Sequence, residues 1–135
     1  MAEFIYINLN PLKKRTGDCV YRAFSYFLSI PWRQVVNELV SFAADRGLTN
    51  FNYRSTYNEF LKEKGYVRHR SPQKGITVAE FCDKYAEKDK RYILSCPRHL
   101  TIVDWLPWKG QSVVFDTWDC RNKPVDGYWE REITD

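Results

Sequence analysis

Cys19-Val20-Tyr21-Arg22-Ala23-Phe24-Ser25-Tyr26-Phe27-Leu28 is the first stretch of the chain with a strong helical period. Its apolar side chains recur every three or four residues, which is the spacing of a helix buried along one face. Thr16-Gly17-Asp18 lie immediately before this stretch. We therefore expect a first helix that begins at Cys19 and carries a thiol in its first turn; its buried face should comprise Val20, Ala23, Phe24, Phe27 and Leu28.

Two more helices are predicted directly downstream. The stretch from Trp32 to Ala43 repeats the same apolar spacing, and Gly47 supplies a stop. A loop follows, and Ser55 is the expected N-cap of a short third helix. That helix should end at Lys64-Gly65.

The pattern changes from helical to extended after a fourth helix. Thr77 and Glu80 form a capping-box pattern, which predicts a helix that runs to about Tyr85. Helices followed by strands are typical of an α+β fold, here with N-terminal helices packed on a C-terminal antiparallel sheet. Beside a short extended piece at 66–68, the predicted strands are Tyr92–Leu94, His99–Trp105, Gln111–Phe115 and Tyr128–Ile133.

The composition limits the class of protein. With 135 residues, 44% hydrophobic and 16% aromatic, the chain is too apolar for disorder and should form one domain, residues 1–135. Its formal charge of +4 is scattered along the sequence, which favours no specific nucleic-acid partner. No apolar run approaches the roughly 18 residues of a membrane span, and the N-terminus lacks the pattern of a signal peptide. We therefore expect a cytoplasmic protein without membrane contact, located in the host cytoplasm if a phage encodes it.

The cysteines favour free thiols over disulfides or a metal site. There are four of them, widely spaced along the chain, and none forms a C-x-x-C pair. We therefore expect neither a structural zinc site nor a cofactor.

A cysteine, a histidine and an aspartate have the chain order and local settings of a catalytic triad. Cys19 lies where unpaired backbone N–H groups and the helix dipole favour a thiolate. His99 opens an apolar strand, and Asp116 follows the next one. We predict Cys19 as the nucleophile, His99 as its base and Asp116 as the group that orients the imidazole.

Hairpin geometry gives this pairing a structural reason. If the strands that begin at His99 and end before Asp116 form an antiparallel hairpin centred between Pro107 and Trp108, His99 lies directly opposite Asp116. Opposed residues share a face, with Cβ atoms about 5 Å apart. A two-residue change of register keeps that face, whereas a one-residue slip destroys the pairing.

Three short motifs resemble those of papain-like cysteine peptidases: Asp18-Cys19, His99 before the strand Leu100 to Val103, and Asp116 after Val113-Val114-Phe115. The likeness is to the compact branch that includes the double-glycine leader peptidases of bacteriocin exporters, and it covers residues 10–120. It implies a papain-like fold and the hydrolysis of a peptide, isopeptide or related amide bond in a protein or peptide substrate. The chain also resembles small phage and bacterial proteins that combine a Gly-Asp-Cys helix start with a segment like the one from Asp116 to Cys120.

The same resemblance implies a donor for the oxyanion formed during amide cleavage. Papain-like enzymes carry a glutamine at the position that Lys13 occupies here. The candidate donors are therefore Lys13, Asn10 and the backbone N–H of Cys19, with Asn8 close by in the sequence.

Several neighbours of the triad are expected to support it. Asp18 precedes the nucleophile, and Trp118 follows the acid, where its indole can shield the His–Asp contact from water. Asp119 and Cys120 are candidate supporting residues, with Asp119 a competitor of Asp116 for the histidine. The other histidine, His69, is expected on the surface.

Two alternatives to hydrolysis remain open at this stage. The same thioester intermediate can pass its acyl group to an amine, as in a transglutaminase-like acyltransferase. Alternatively, the chain is a catalytically inactive phage-type factor that binds a protein through exposed aromatic residues around Trp105, Trp108, Trp118 and Trp129.

Overall fold

Four helices and a six-stranded sheet make up the computed structural model, which describes residues 2–134. This arrangement confirms the predicted α+β class. In chain order the elements are β1 (Glu3–Tyr6), α1 (Cys19–Leu28), α2 (Trp32–Asp45), α3 (Arg54–Glu63), β2 (His69–Arg70), α4 (Val78–Lys84), β3 (Lys90–Cys96), β4 (His99–Leu106), β5 (Gln111–Asp116) and β6 (Gly127–Glu132).

The C-terminal strands pair antiparallel as predicted, but the sheet as a whole is mixed because an N-terminal strand joins it. Its strand order is β1-β5-β4-β3-β6-β2, and β1 pairs with β5 in parallel. The remaining pairs are antiparallel. The extended piece expected at 66–68 also lies slightly later, because β2 forms at His69–Arg70 against β6. Strand β1 and the position of β2 escaped the prediction because short edge strands carry little periodic signal.

The helix starts were predicted unevenly. The α1 helix begins at Cys19 as expected, and the capping box of α4 is present, since Glu80 N–H donates to Thr77 Oγ1 at 3.2 Å. Ser55 is not a cap, however. The α3 helix begins at Arg54, and no side-chain hydrogen bond caps it.

Helices cover both faces of the sheet. Helices α1 to α3 pack on one face, while α4 and the segment after β5 pack on the other. Phe24, Phe27 and Trp129 are fully buried in the first layer, and Phe81, Val103 and Val114 are buried in the second.

A buried polar cluster fixes α1 alongside β4. Tyr26 donates its hydroxyl to Asp104 Oδ2 at 2.7 Å, and Arg91 Nε donates to Asp104 Oδ1 at 3.0 Å. Arg91 also donates to the Tyr26 carbonyl oxygen at 3.2 Å. Since α1 and β4 run in the same direction, this contact at one end brings Cys19, at the other end of α1, to the first residue of β4.

Candidate active site

The three predicted catalytic side chains meet at the first turn of α1 and the ends of β4 and β5. Cys19 and His99 line the same two clefts, and the imidazole acts on the thiol closely enough to lower its pKa. His99 Nε2 lies 2.6 Å from Asp116 Oδ2, so Nδ1 is the ring nitrogen that remains to interact with the Cys19 thiol. The order thiol, imidazole, carboxylate is that of a nucleophile, its base and the group that orients the base.

The hairpin that carries His99 and Asp116 has a different register from the predicted one. Leu106 pairs with Gln111, and the ladder ends with Ile102 opposite Phe115, so the pairing is shifted by two residues. The cause is a four-residue turn that ends at Gly110, whose φ of 63° suits glycine. The shift is even and keeps the shared face, so His99 reaches Asp116 diagonally.

The surroundings of Cys19 stabilise its thiolate. Burial raises the pKa of the thiol, but hydrogen bonds from His99 and from the backbone N–H of Leu100 lower it, and the net effect is a lowered pKa. The charges of His99 and Arg22 act in the same direction. Cys19 is also partly exposed, which a nucleophile needs in order to reach a substrate.

The histidine and the aspartate stabilise each other's charged forms. Burial alone would lower the pKa of His99, but hydrogen bonds with Asp116, Cys120 and Cys19 raise it to about 11. Burial raises the pKa of Asp116, and its contact with the imidazolium outweighs this and lowers it. The site therefore favours a thiolate–imidazolium pair beside an ionised carboxylate.

Arg22 is a site residue that the sequence prediction missed. It forms a buried ion pair with Asp18, and its guanidinium lies 3.8 Å from Asp116 Oδ1. Its position three residues after Cys19 on the same helix was the available signal, because such residues share a helix face. Arg22 thus balances two buried carboxylates around the thiol.

The loop before α1 holds the other predicted donors away from Cys19. Lys13 Nζ donates to the Asn8 carbonyl oxygen at 2.8 Å, and Asn10 Nδ2 donates to Asp18 Oδ2 at 3.2 Å. Neither Lys13 nor Asn10 lines any of the three clefts that contain Cys19. The remaining candidate is the backbone N–H of Cys19, in a first turn without a side-chain cap.

Asp18 acts as a structural anchor. Besides Arg22 and Asn10, its carboxylate accepts a hydrogen bond from Trp32 Nε1 at 3.0 Å. Asp18 is 2% exposed, and these contacts join the loop, α1 and α2. They fix the backbone of the residue before the nucleophile.

The segment after Asp116 places two side chains against the His–Asp pair. The Trp118 ring contacts the His99 ring with 4.8 Å between centroids, on the solvent side of the His–Asp pair. Cys120 Sγ lies 3.5 Å from Asp116 Oδ2 and is fully buried. Asp119 does not compete for His99, because it is paired with Arg121 at 2.7 Å.

Cys82, Cys96, His69 and Trp129 are not members of the predicted triad, although Cys96 lies opposite His99 in the pairing of β3 with β4. Cys82 and Cys96 are buried free thiols, and burial raises the pKa of each to about 12. His69 is exposed on β2 and stacks on Tyr128. Trp129 is fully buried, which corrects its assignment to an exposed aromatic surface.

Two open clefts meet at the Cys19–His99 pair. One, of about 390 Å³, runs past Arg15, Arg98 and Trp118. The other, of about 490 Å³, runs past Tyr53, Arg54, Tyr57 and Arg98. A chain lying across both clefts would place one of its bonds next to the thiol.

His99, Asp116 and Cys120 also form a set of potential metal ligands. One ligand atom from each lies within 4.8 Å of the others. The 2.6 Å between Nε2 and Oδ2 is the distance of a hydrogen bond, whereas two ligands of a tetrahedral zinc ion lie about 3.3 Å apart. His99 and Asp116 are therefore placed as a hydrogen-bonded pair of the predicted triad and not as two zinc ligands.

Comparison with family models, with curated proteins and with solved structures finds no match to this chain. Within residues 2–134, no helix combines the length and the apolarity that crossing a membrane requires. The functional argument therefore depends on the site itself.

Proposed function

We propose that the protein is a papain-like thiol hydrolase that cleaves a peptide, isopeptide or related amide bond. The observation that carries this proposal is the position of Cys19 beside His99 in two shared clefts, with 2.6 Å between the imidazole and the Asp116 carboxylate. The thiol also lies at a helix start inside an open groove. Cys82, by contrast, is buried and donates its thiol hydrogen to the Ser112 carbonyl oxygen at 3.3 Å.

In the first step the Cys19 thiolate attacks the carbonyl carbon of the amide. A carbon–sulfur bond forms, and the carbonyl oxygen becomes an oxyanion that the backbone N–H of Cys19 can bind. The His99 imidazolium then gives its Nδ1 proton to the leaving nitrogen as the carbon–nitrogen bond breaks. The products of this step are an amine and a thioester on Cys19.

In the second step water cleaves the thioester. Neutral His99 accepts a proton from the water as its oxygen attacks the carbonyl carbon, and the carbon–sulfur bond breaks. The products are a carboxylic acid and the regenerated thiolate–imidazolium pair. Asp116 supports both steps because its carboxylate holds the ring orientation and the positive charge.

The resemblance to papain-like peptidases supports the same proposal. The Asp18-Cys19 helix start, the histidine at the start of β4 and the aspartate at the end of β5 follow the family's order. The helix that carries the cysteine packs on the strand that begins with the histidine, as that fold requires.

The test is cleavage of a diverse peptide library, with products identified by mass spectrometry. Wild type should generate new termini, and Cys19→Ala and His99→Ala should not, while each variant keeps its circular dichroism and melting profile. Cys82→Ala and His69→Ala are the matched controls, and both should cleave like wild type. Cleavage by Cys19→Ala would refute the proposal.

The same reaction run with an added primary amine separates hydrolysis from the acyltransferase alternative. Products that gain water at the new acyl terminus support hydrolysis. Products that carry the amine instead would assign acyl transfer to the same thioester.

A further inference from the structure

The two open clefts that meet at Cys19 and His99 are lined by positive charge. Both clefts include Arg98, and within residues 2–134 no carboxylate lines either of them. The cations that line the two clefts are Arg15, Arg22, Arg54 and Arg98. A substrate that lies across the thiol therefore meets arginine side chains on both sides of its reacting bond.

Two of these arginines have no carboxylate partner among the described residues. Arg22 pairs with Asp18, and Arg54 lies 3.3 Å from Asp126. Arg15 and Arg98 are exposed and make no ion pair or side-chain hydrogen bond within residues 2–134. Their guanidinium groups are available to a ligand.

Arg98 occupies a position that favours glycine. It lies in the two-residue turn between Cys96 and His99, and its φ is 58°. A residue with a Cβ atom is strained at such a positive φ, and strained residues of this kind cluster at binding and active sites. The strained turn places a cation directly beside the proposed base.

The positive surface continues beyond Arg54. This residue also lines a third cleft, where the other charged residues are Arg68, Arg70, Lys74 and Asp126. Among the described residues 2–134, Asp126 is the one carboxylate there, and it is shared between Arg54 and Arg68. The excess of cations thus extends along a path that begins at the thiol.

We propose that the substrate is an acidic polypeptide with carboxylate side chains next to the scissile amide, and that Arg98 and Arg15 determine this specificity. The inference rests on the proposed function, since it concerns the substrate of that same site. Guanidinium groups bind carboxylates through paired charge-assisted hydrogen bonds, and a groove of one sign concentrates ligands of the other. A polypeptide fits better than a nucleic acid because the reacting bond at Cys19 is an amide.

The first test measures the charge at the thiol without any substrate. The rates at which iodoacetate and iodoacetamide alkylate Cys19 are compared, because the two reagents differ chiefly in the negative charge of iodoacetate. In the double variant Arg15→Gln, Arg98→Gly the iodoacetate-to-iodoacetamide ratio should fall at least about threefold relative to wild type. Because glycine suits a φ of 58°, Arg98→Gly should fold and melt no lower than wild type.

The matched control is Arg33→Gln, an exposed arginine of α2 that lines neither cleft. Its ratio should equal that of wild type. An equal ratio in the double variant as well would overturn the inference, and it would leave the proposed hydrolase intact. Conversely, the ratio can fall in a protein that cleaves nothing, so the two proposals fail separately.

The second test uses the peptide library of the cleavage experiment. Wild type should cleave preferentially where Asp or Glu flanks the cut bond, and the products of Arg98→Gly should lack this preference. Poly-glutamate should slow the alkylation of Cys19 by iodoacetamide more than a thymidine oligonucleotide of equal charge. Cleavage without acidic preference, or stronger protection by the oligonucleotide, would overturn the assignment.

Discussion

Replacing Asp116 by asparagine should lower the pKa of the His99 imidazole. The carboxylate lies 2.6 Å from His99 Nε2, and both side chains are at least nine-tenths buried. Asparagine keeps a similar shape and an oxygen acceptor but removes the negative charge. The ring should therefore stay in place while its proton is held less tightly.

The magnitude follows from the type of contact. A hydrogen bond between charged groups contributes about 1.5–3 kcal/mol, and each pH unit of pKa corresponds to about 1.4 kcal/mol. The pKa of His99, raised to about 11 in the wild type, should therefore fall by about one to two pH units in Asp116→Asn.

The assay is an NMR titration of the ring protons, which is simple because the chain has 2 histidines. His69 is exposed and remote from the site, so it serves as an internal reference. Asp119→Asn is the matched control, since that carboxylate pairs with Arg121 and does not contact His99. An unchanged pKa of His99 in a folded Asp116→Asn variant would refute the role assigned to Asp116.

Four further outcomes are expected. Arg22→Gln should lower the free energy of unfolding by about 3 kcal/mol in urea titrations because it leaves the buried Asp18 carboxylate without its cationic partner, and a loss below about 1 kcal/mol would argue against that ion pair. Asp104→Asn should lower the free energy of unfolding by about 2 kcal/mol and reduce the alkylation rate of Cys19, because it weakens the contact between α1 and β4. An unchanged alkylation rate would show that this buried cluster does not position Cys19. Trp118→Ala should lower the pKa of His99 in the NMR titration by admitting water, and a pKa equal to that of wild type would show that the indole does not shield the contact. Because the pKa of His99 is raised from 6.5 to about 11, its contribution to stability is complete below pH 6.5 and is lost as the pH rises. The lowered pKa of Cys19 has the opposite effect below its ordinary value of 9.0, because ionisation of the thiol then stabilises the folded state. In Cys19→Ala the free energy of unfolding in urea should therefore fall more steeply than in wild type between about pH 7 and 9, and parallel pH curves would contradict the interaction between the two groups.

Local patterns account for the parts of the fold that the sequence predicted. The period from Val20 to Leu28 and the Thr77–Glu80 capping box depend on neighbours a few residues apart, and both appear as expected. The chain order of Cys19, His99 and Asp116 indicated the site for a related reason. Each of these three residues lies at one end of a helix or strand, and the local sequence pattern predicted that position.

Contacts between distant segments account for the rest. The parallel pairing of Glu3–Tyr6 with β5 leaves no periodic trace in four residues, and the hairpin register depends on the conformation at Gly110. Asp104 and Arg91 read as ordinary strand residues, although their buried pair positions α1. The role of Arg22 likewise appears only once the folded chain brings Asp18 and Asp116 to it.

The central claim is that Cys19 is an activated nucleophile. The most direct measurement is the rate of its alkylation by iodoacetamide at about pH 6, with peptide mapping to locate the modified residue, against glutathione as a free thiol. We predict a single modification at Cys19 that forms at least about tenfold faster than that of glutathione, because a free thiol is almost fully protonated at this pH, whereas the lowered pKa of Cys19 increases its thiolate fraction. A rate no greater than that of glutathione, or modification at another cysteine first, would contradict it.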